Sequence, residues 1–325
     1  MSQWVRPLFF SRILDCALMP RRYFFSSTQS QVLTILQNPA VLKENLHKQG
    51  VYLPGKYLHD HFTWWLSQYA RQFPLSLEAY FTNKIELNSL CQEFIQFCFK
   101  HHIFLNKEKT LKSFEYHDAV SDKALKQELA LFSYKPKINI LGFGLGTGHY
   151  EKNIAEYFIQ NRLAESVKIY GFDPYAENSN EIEFLTATQL VTNQHPAFDV
   201  ITARWVLHHI SLKERWTHFV DCINRSKPGA MVFVVEHGFL QKPSLIFDKK
   251  LYWLLNATFD VVANIGIRPH WFTSTYPNIG ANFFIHYLEC KDFKDIKKGI
   301  KVQMTQNIYD VGPNFPNQTI CCMRA

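Results

Sequence analysis

Five short apolar runs alternate with helical segments between residues 138 and 236, and this alternation confines the chain to a parallel sheet covered by helices. The runs are Ile138–Gly144 (INILGFG), Val167–Asp173 (VKIYGFD), Glu181–Leu185 (EIEFL), Phe198–Ala203 (FDVITA) and Ala230–Glu236 (AMVFVVE). Two more strands are expected at about 301–308 and 319–323, which makes the sheet doubly wound, seven-stranded and mostly parallel, of the α/β class. Ser244–Ile265 and Asn282–Cys290 have the spacing of amphipathic helices.

Ahead of the sheet the pattern is helical. Val32, Ile35, Leu36 and Val41 fit a first helix, Phe62, Trp65, Leu66 and Tyr69 a second, and Leu90, Phe94, Phe97 and Phe99 a third, with Asp122–Phe132 leading into the first strand. The expected division is a helical region over 1–115 and an α/β domain over 116–325 with a lid at about 240–282. The helical region would cover substrate or offer an interaction surface. Hydrophobic residues make up 47% of the chain and charged residues 19% without a Gly/Ser-rich or Pro-rich tract, so no long disordered linker is expected.

Charge and cysteine usage narrow the function classes. The formal charge is +7, yet Lys and Arg are scattered; Lys291–Lys301 is the one locally basic stretch, a solvated helix or turn or else a phosphate-contacting surface. Nucleic acid is therefore not indicated as a partner. Seven cysteines occur without a CxxC pair or Cys/His ligand spacing, which argues for reduced thiols and against a zinc site, so no metal is expected. No apolar run reaches the ~20 residues of a membrane span. Residues 1–30 hold Arg6, Arg12, Arg21 and Arg22 against Asp15, with a serine-rich end. This composition suits a mitochondrial presequence or a basic amphipathic helix. The compartment favoured is the cytoplasm, with the mitochondrial matrix as the alternative.

The segment Leu141–Gly148 (LGFGLGTG) stands between a strand and a helix expected at Tyr150–Arg162, where glycines permit a sharp turn and close approach of a ligand. Its spacing discriminates between ligands. A dinucleotide fingerprint needs glycine at Thr147 or His149, whereas GxGxG is met at Gly144, Gly146 and Gly148. A nucleoside without phosphate is favoured over a pyrophosphate. Asp173 ends the next strand, where a carboxylate can accept from both ribose hydroxyls or form a turn before Pro174.

Strand, GxGTG, helix, strand ending in Asp, then FDVITARWVLHHI (Phe198–Ile210) and KPGAMVFVVEHG (Lys227–Gly238) resemble the class I, Rossmann-like S-adenosylmethionine-dependent methyltransferases. The likeness spans roughly Lys137–Gly238. It implies S-adenosylmethionine as cofactor, with Gly144, Gly146 and Gly148 around the methionine part and Asp173 at the ribose. Gly142, Thr186 and Arg204 complete the implied cofactor set. Two positions depart from the family pattern. Gly142 stands where many members have an acid that holds the ammonium group, and Thr186 stands where an acid often meets the adenine.

Ligands of open α/β sheets bind at the carboxyl ends of the strands, which brings Thr202, Ala203, Arg204, Trp205 and His208 to one side and Glu236, His237 and Gly238 to the other. Glu236, His237 and His208 are the candidate catalytic residues, because methyl transfer needs in-line positioning and often the removal of one proton. His208 can equally be a packing element of its helix, and Arg204 can pair with an anionic substrate or with surface acids such as Glu214. Trp271 and Phe272, in RPHWFTSTY (Arg268–Tyr276), either line a pocket or fill the core. The expected activity is methyl transfer to O or N of an acceptor, with a small molecule favoured. The competing readings are an RNA or protein methyltransferase, a catalytically silent binding protein of the same fold, and a nicotinamide oxidoreductase, which the loop spacing disfavours.

Overall fold

The computed structural model describes residues 29–48, 55–103, 105–173, 180–192, 194–210, 215–237, 249–267, 299–301, 305–309 and 318–324. Six helices come first: α1 Gln29–Gln37, α2 Pro39–Lys48, α3 Lys56–Gln72, α4 Pro74–Phe81, α5 Leu87–Lys100 and α6 Lys107–Leu129. The sheet and its helices follow as β1 Lys137–Phe143, α7 His149–Gln160, β2 Ser166–Phe172, β3 Ile182–Phe184, α8 Ala187–Val191, β4 Val200–Arg204, α9 Val220–Asn224, β5 Met231–His237, α10 Lys249–Ile267, β6 Thr305–Tyr309 and β7 Gln318–Arg324.

Strand order is β3-β2-β1-β4-β5-β7-β6 in a seven-stranded sheet. The first five strands run parallel to their neighbours, and β7 lies antiparallel between β5 and β6. Side chains alternate across the sheet with the period of two that a strand imposes. Ile138 and Ile140 of β1 and Met231, Phe233 and Val235 of β5 enter one apolar layer together with Leu125 of α6 and Phe158 of α7. Leu141 and Phe143, with Val232 and Val234, enter the opposite layer together with Phe198, Ile201 and Phe219. Both faces are covered, as an α/β sheet requires.

The FD and KPG segments meet at the end of the sheet remote from the glycine loop. Asp199 accepts from the backbone N–H of Asn139 (2.9 Å) and pairs with Lys135 (2.9 Å) and Lys227 (2.6 Å). Burial works against its charge, but the Lys227 contact, the Asn139 N–H and Lys135 outweigh it and hold the carboxyl below its ordinary range. One buried carboxylate thereby joins the entrances of β1, β4 and β5.

A second core lies among the amino-terminal helices. Leu36, Leu46, Leu58, Phe62, Leu66, Tyr69 and Phe94 pack there with Leu254, Leu255, Val261 and Val262, so α10, although it follows β5 in the chain, belongs to the helical layer. Tyr80 Oη donates to the Lys250 carbonyl (3.0 Å), and Lys250 Nζ donates to the Tyr80 carbonyl (2.6 Å). Helix α6 joins the two cores: its start meets α10 at Gly266, while Leu125 and Leu129 sit under the sheet.

Several sequence expectations are corrected. The first helix is broken at Asn38, whose side chain accepts from the N–H groups of Ala40 (3.1 Å) and Val41 (3.3 Å) and starts a new helix at Pro39. The helix before β1 begins at Lys107 rather than Asp122, capped by Asn106, which accepts from Lys109 N–H at 2.9 Å. His208 and His209 lie in a single 3₁₀ turn, Leu207–His209, and do not open an α-helix. Asn282–Cys290, Arg268–Tyr276 with Trp271 and Phe272, most of Lys291–Lys301, and residues 1–28 lie outside the described residues.

Candidate active site

The loop after β1 carries three left-handed residues, Gly144, Gly146 and Gly148, with φ of 72°, 62° and 70°. Side chains resist this backbone region, so the GxGxG spacing follows from conformation. Self-packing adds a second reason at two of the three. A Cβ on Gly144 would lie 2.1 Å from Val206 Cγ2, and one on Gly148 would lie 2.4 Å from Ile182 Cδ1. The loop is fastened to the end of β2: Gly144 N–H donates to the Phe172 carbonyl and Gly146 N–H to Asp173 Oδ2, each at 2.8 Å. Asp173 therefore shapes the loop in addition to standing at the strand end where a ribose would be held.

Gly142 lies within β1 and is buried. A Cβ there would fall 2.4 Å from Leu145 Cδ1 and 3.0 Å from Glu151 Cδ. Glu151 occupies the first turn of α7 and points inward with Ile154 and Phe158. It is 4% exposed. Thr202 Oγ1 donates to Glu151 Oε1 at 2.6 Å, while Oε2 has no hydrogen-bond partner among the described residues. Burial pushes the Glu151 carboxyl up; the Thr202 hydrogen bond, a backbone N–H and the charge of Arg204 oppose this, and Asp173 adds to it. Sequence reasoning missed Glu151. The available signal was an acid at 151 in helical register with Ile154 and Phe158, an apolar face on which acids are rare.

At the ends of β4 and β5, two of the residues singled out in sequence come together. His208 Nδ1 meets Glu236 Oε1 at 2.5 Å, and the His208 backbone N–H donates to Glu236 Oε2 at 3.2 Å. Both side chains are 1% exposed. The other ring nitrogen, Nε2, lies 3.4 Å from Asp260 Oδ2 on α10, a residue no local pattern indicated. Burial pulls the imidazole pKa down, but the charge of Glu236, the nearby Asp260 carboxylate and the hydrogen bond to Glu236 outweigh it and raise it to about 9. His208, His209 and Asp260 also bring ligand-type atoms within 4.8 Å of one another. An imidazolium held between two carboxylates accounts for the same geometry.

Arg204 ends β4 with its guanidinium 3.5 Å from the centre of the Tyr150 ring and donates to Ser121 Oγ at 3.4 Å, so it packs along α7 and α6. The next residue, Trp205, has φ of 51°, a conformation that non-glycine residues adopt at a cost and that concentrates at functional sites. Thr186 caps α8: its hydroxyl accepts from Gln189 N–H (3.2 Å), and Gln189 Oε1 accepts from Thr186 N–H (2.8 Å). His237 ends β5, and its side chain lies outside the described part.

A family model described as a methyltransferase domain matches residues 115–276, from within α6 to beyond α10. Residues 115–276 therefore form a methyltransferase domain, and its strand order and glycine loop are those of class I. The methyl donor of the class is S-adenosylmethionine. Solved methyltransferase structures are similar at low identity. The CurJ carbon methyltransferase shares 15% identity over 89% of this chain and 71% of its own, with a TM-score of 0.45. An O-methyltransferase family protein from Burkholderia thailandensis shares 12% over 67% and 57%, with a TM-score of 0.39. The magnesium protoporphyrin IX methyltransferase of Synechocystis PCC 6803 shares 11% over 64% and 79%, with a TM-score of 0.35. This methyltransferase chain thus spans little more than half the length of the Burkholderia protein. No curated protein sequence matches it. No described helix is long and apolar enough to cross a membrane.

Proposed function

We propose that this methyltransferase transfers a methyl group from S-adenosylmethionine to oxygen or nitrogen of an acceptor docked over the carboxyl ends of β4 and β5, and that the acceptor is a small molecule. The observation that carries the reading is the bond from Gly146 N–H to Asp173 Oδ2, which draws the left-handed glycine loop and the carboxylate ending β2 into one cradle. The cradle suits a nucleoside. It offers a strand-end carboxylate for ribose hydroxyls, and a carboxylate next to the loop disfavours a pyrophosphate. Gly142, Gly144, Gly146, Gly148 and Asp173 would hold the donor, which supplies an electrophilic methyl when bound. Thr186 would stand at the adenine edge, with its hydroxyl already engaged in the cap of α8.

For the transfer itself, the chain's contribution is orientation and exclusion of water. His208 and Glu236 are buried against each other, and their joint contact with Asp260 ties β5, the turn after β4 and α10 together. This favours a positioning role for the pair, since an imidazole with a pKa near 9 holds its proton at neutral pH. His237, at the same strand end, is then the remaining candidate base. A small acceptor is favoured by the helical layer that reaches the site through α10. Calorimetric titration with S-adenosylmethionine tests the reading, and absence of binding to the folded protein would reject it. Compounds that raise the melting temperature further in the presence of S-adenosylhomocysteine would identify the acceptor class.

A further inference from the structure

Resting on the reading that the glycine loop holds S-adenosylmethionine, we infer that Glu151 replaces the acid missing at Gly142 and that its carboxylate receives the charged amino group of the donor's methionine tail. Position 142 has no room for a side chain, since a Cβ there would lie 2.4 Å from Leu145 Cδ1 and 3.0 Å from Glu151 Cδ. The second contact is informative. The space beside β1 in which a side chain from 142 would begin is filled by a carboxyl group arriving from α7, so the acid has moved from the strand to the helix that follows the loop.

The state of that carboxyl points to a cationic ligand rather than to packing. A side chain 4% exposed needs either a proton or a counter-charge, because an isolated buried carboxylate is strongly disfavoured. Thr202 Oγ1 fixes Oε1 at 2.6 Å, and this leaves Oε2 buried beside β1 with no hydrogen-bond partner among the described residues. A primary ammonium brings N–H donors to Oε2 and adds its positive charge to that of Arg204, which acts on the carboxyl without a hydrogen bond to Oε2. An anionic group is a poor fit, since Asp173 lies close enough to act on the charge of Glu151. The position also fits the ligand's layout: Glu151 lies one turn beyond Gly148 and bonds to Thr202 on the β4 side of β1, whereas Asp173, where the ribose would be, follows β2 on the other side.

The test compares S-adenosylhomocysteine with 5′-methylthioadenosine, which share the nucleoside and the thioether sulfur and differ in the amino-acid tail. In titrations of the full chain, Glu151→Gln should weaken S-adenosylhomocysteine binding by about 30-fold or more and leave 5′-methylthioadenosine binding unchanged. Equal losses for both ligands, or no loss for either, would overturn the inference. Thr202→Val releases the anchored oxygen while keeping the charge, and should weaken S-adenosylhomocysteine alone by a smaller factor. This variant carries the test if Glu151→Gln does not fold, and an unchanged ratio of the two affinities in it counts against Glu151. A wild-type chain that binds neither compound rejects the donor reading itself. One that binds 5′-methylthioadenosine as tightly as S-adenosylhomocysteine leaves that reading standing and rejects the role of Glu151.

Discussion

His208 and Asp199 are buried charges that respond to pH in opposite directions. The folded pKa of His208 is raised from 6.5 to about 9. Its contribution is therefore complete below about pH 6.5 and is lost as pH rises through about 9, with a size on the order of 3 kcal/mol. Urea unfolding at about pH 6 and about pH 9 should show wild type losing more stability than His208→Asn; parallel losses would rule out the linkage. Asp199 is depressed, so its contribution is present above the ordinary carboxylate value and is lost as acid titrates the folded group. Asp199→Asn should cost about 2 kcal/mol at neutral pH, less than the roughly 3–5 kcal/mol of a fully buried pair, because Lys135 and Lys227 keep about a third of their side chains in water. The FD signature is thus a structural clamp remote from the cofactor loop.

Among the elements, the crossing of α6 and α10 gives a prediction with a change of sign. A Cβ on Gly266 would lie 2.6 Å from Thr110 Oγ1 and 2.8 Å from Thr110 Cγ2. Gly266→Ala should destabilise by about 1–3 kcal/mol through overpacking. In a Thr110→Ala background the obstruction is gone, and the same change should stabilise by up to about 1 kcal/mol through helix propensity. Melting temperatures of the four proteins check this, and additive effects would reject the contact. The same elements mark how far the sequence could be read. The runs at Ile138–Gly144 and Phe198–Ala203 and the GxGxG loop were legible because strand period and glycine conformation are local properties. Asp260 beside His208 was not, because that contact depends on where α10, a member of the helical layer, meets the turn after β4. Nor was the break at Asn38, where a cap interrupts a spacing that otherwise continues from Leu36 to Val41.

At the scale of the whole molecule, the two cores are not independent. Leu254, Leu255, Val261 and Val262 of α10 share one apolar core with residues of α1 to α5, and α10 packs against α3 and α5. A fragment beginning at Asn106 would expose that apolar face, so it should aggregate or bind a hydrophobic dye, whereas a monomeric fragment with the wild-type melting transition would contradict the shared core. The strand order also has a consequence for synthesis. Strand β7 is inserted between β5 and β6, so neither can complete its pairing until residues 318–324 have been made. While the ribosome adds everything between His237 and Gln318, the edge of β5 remains an open template for another chain. A nascent polypeptide stalled in that interval is the form of this protein most exposed to misassembly.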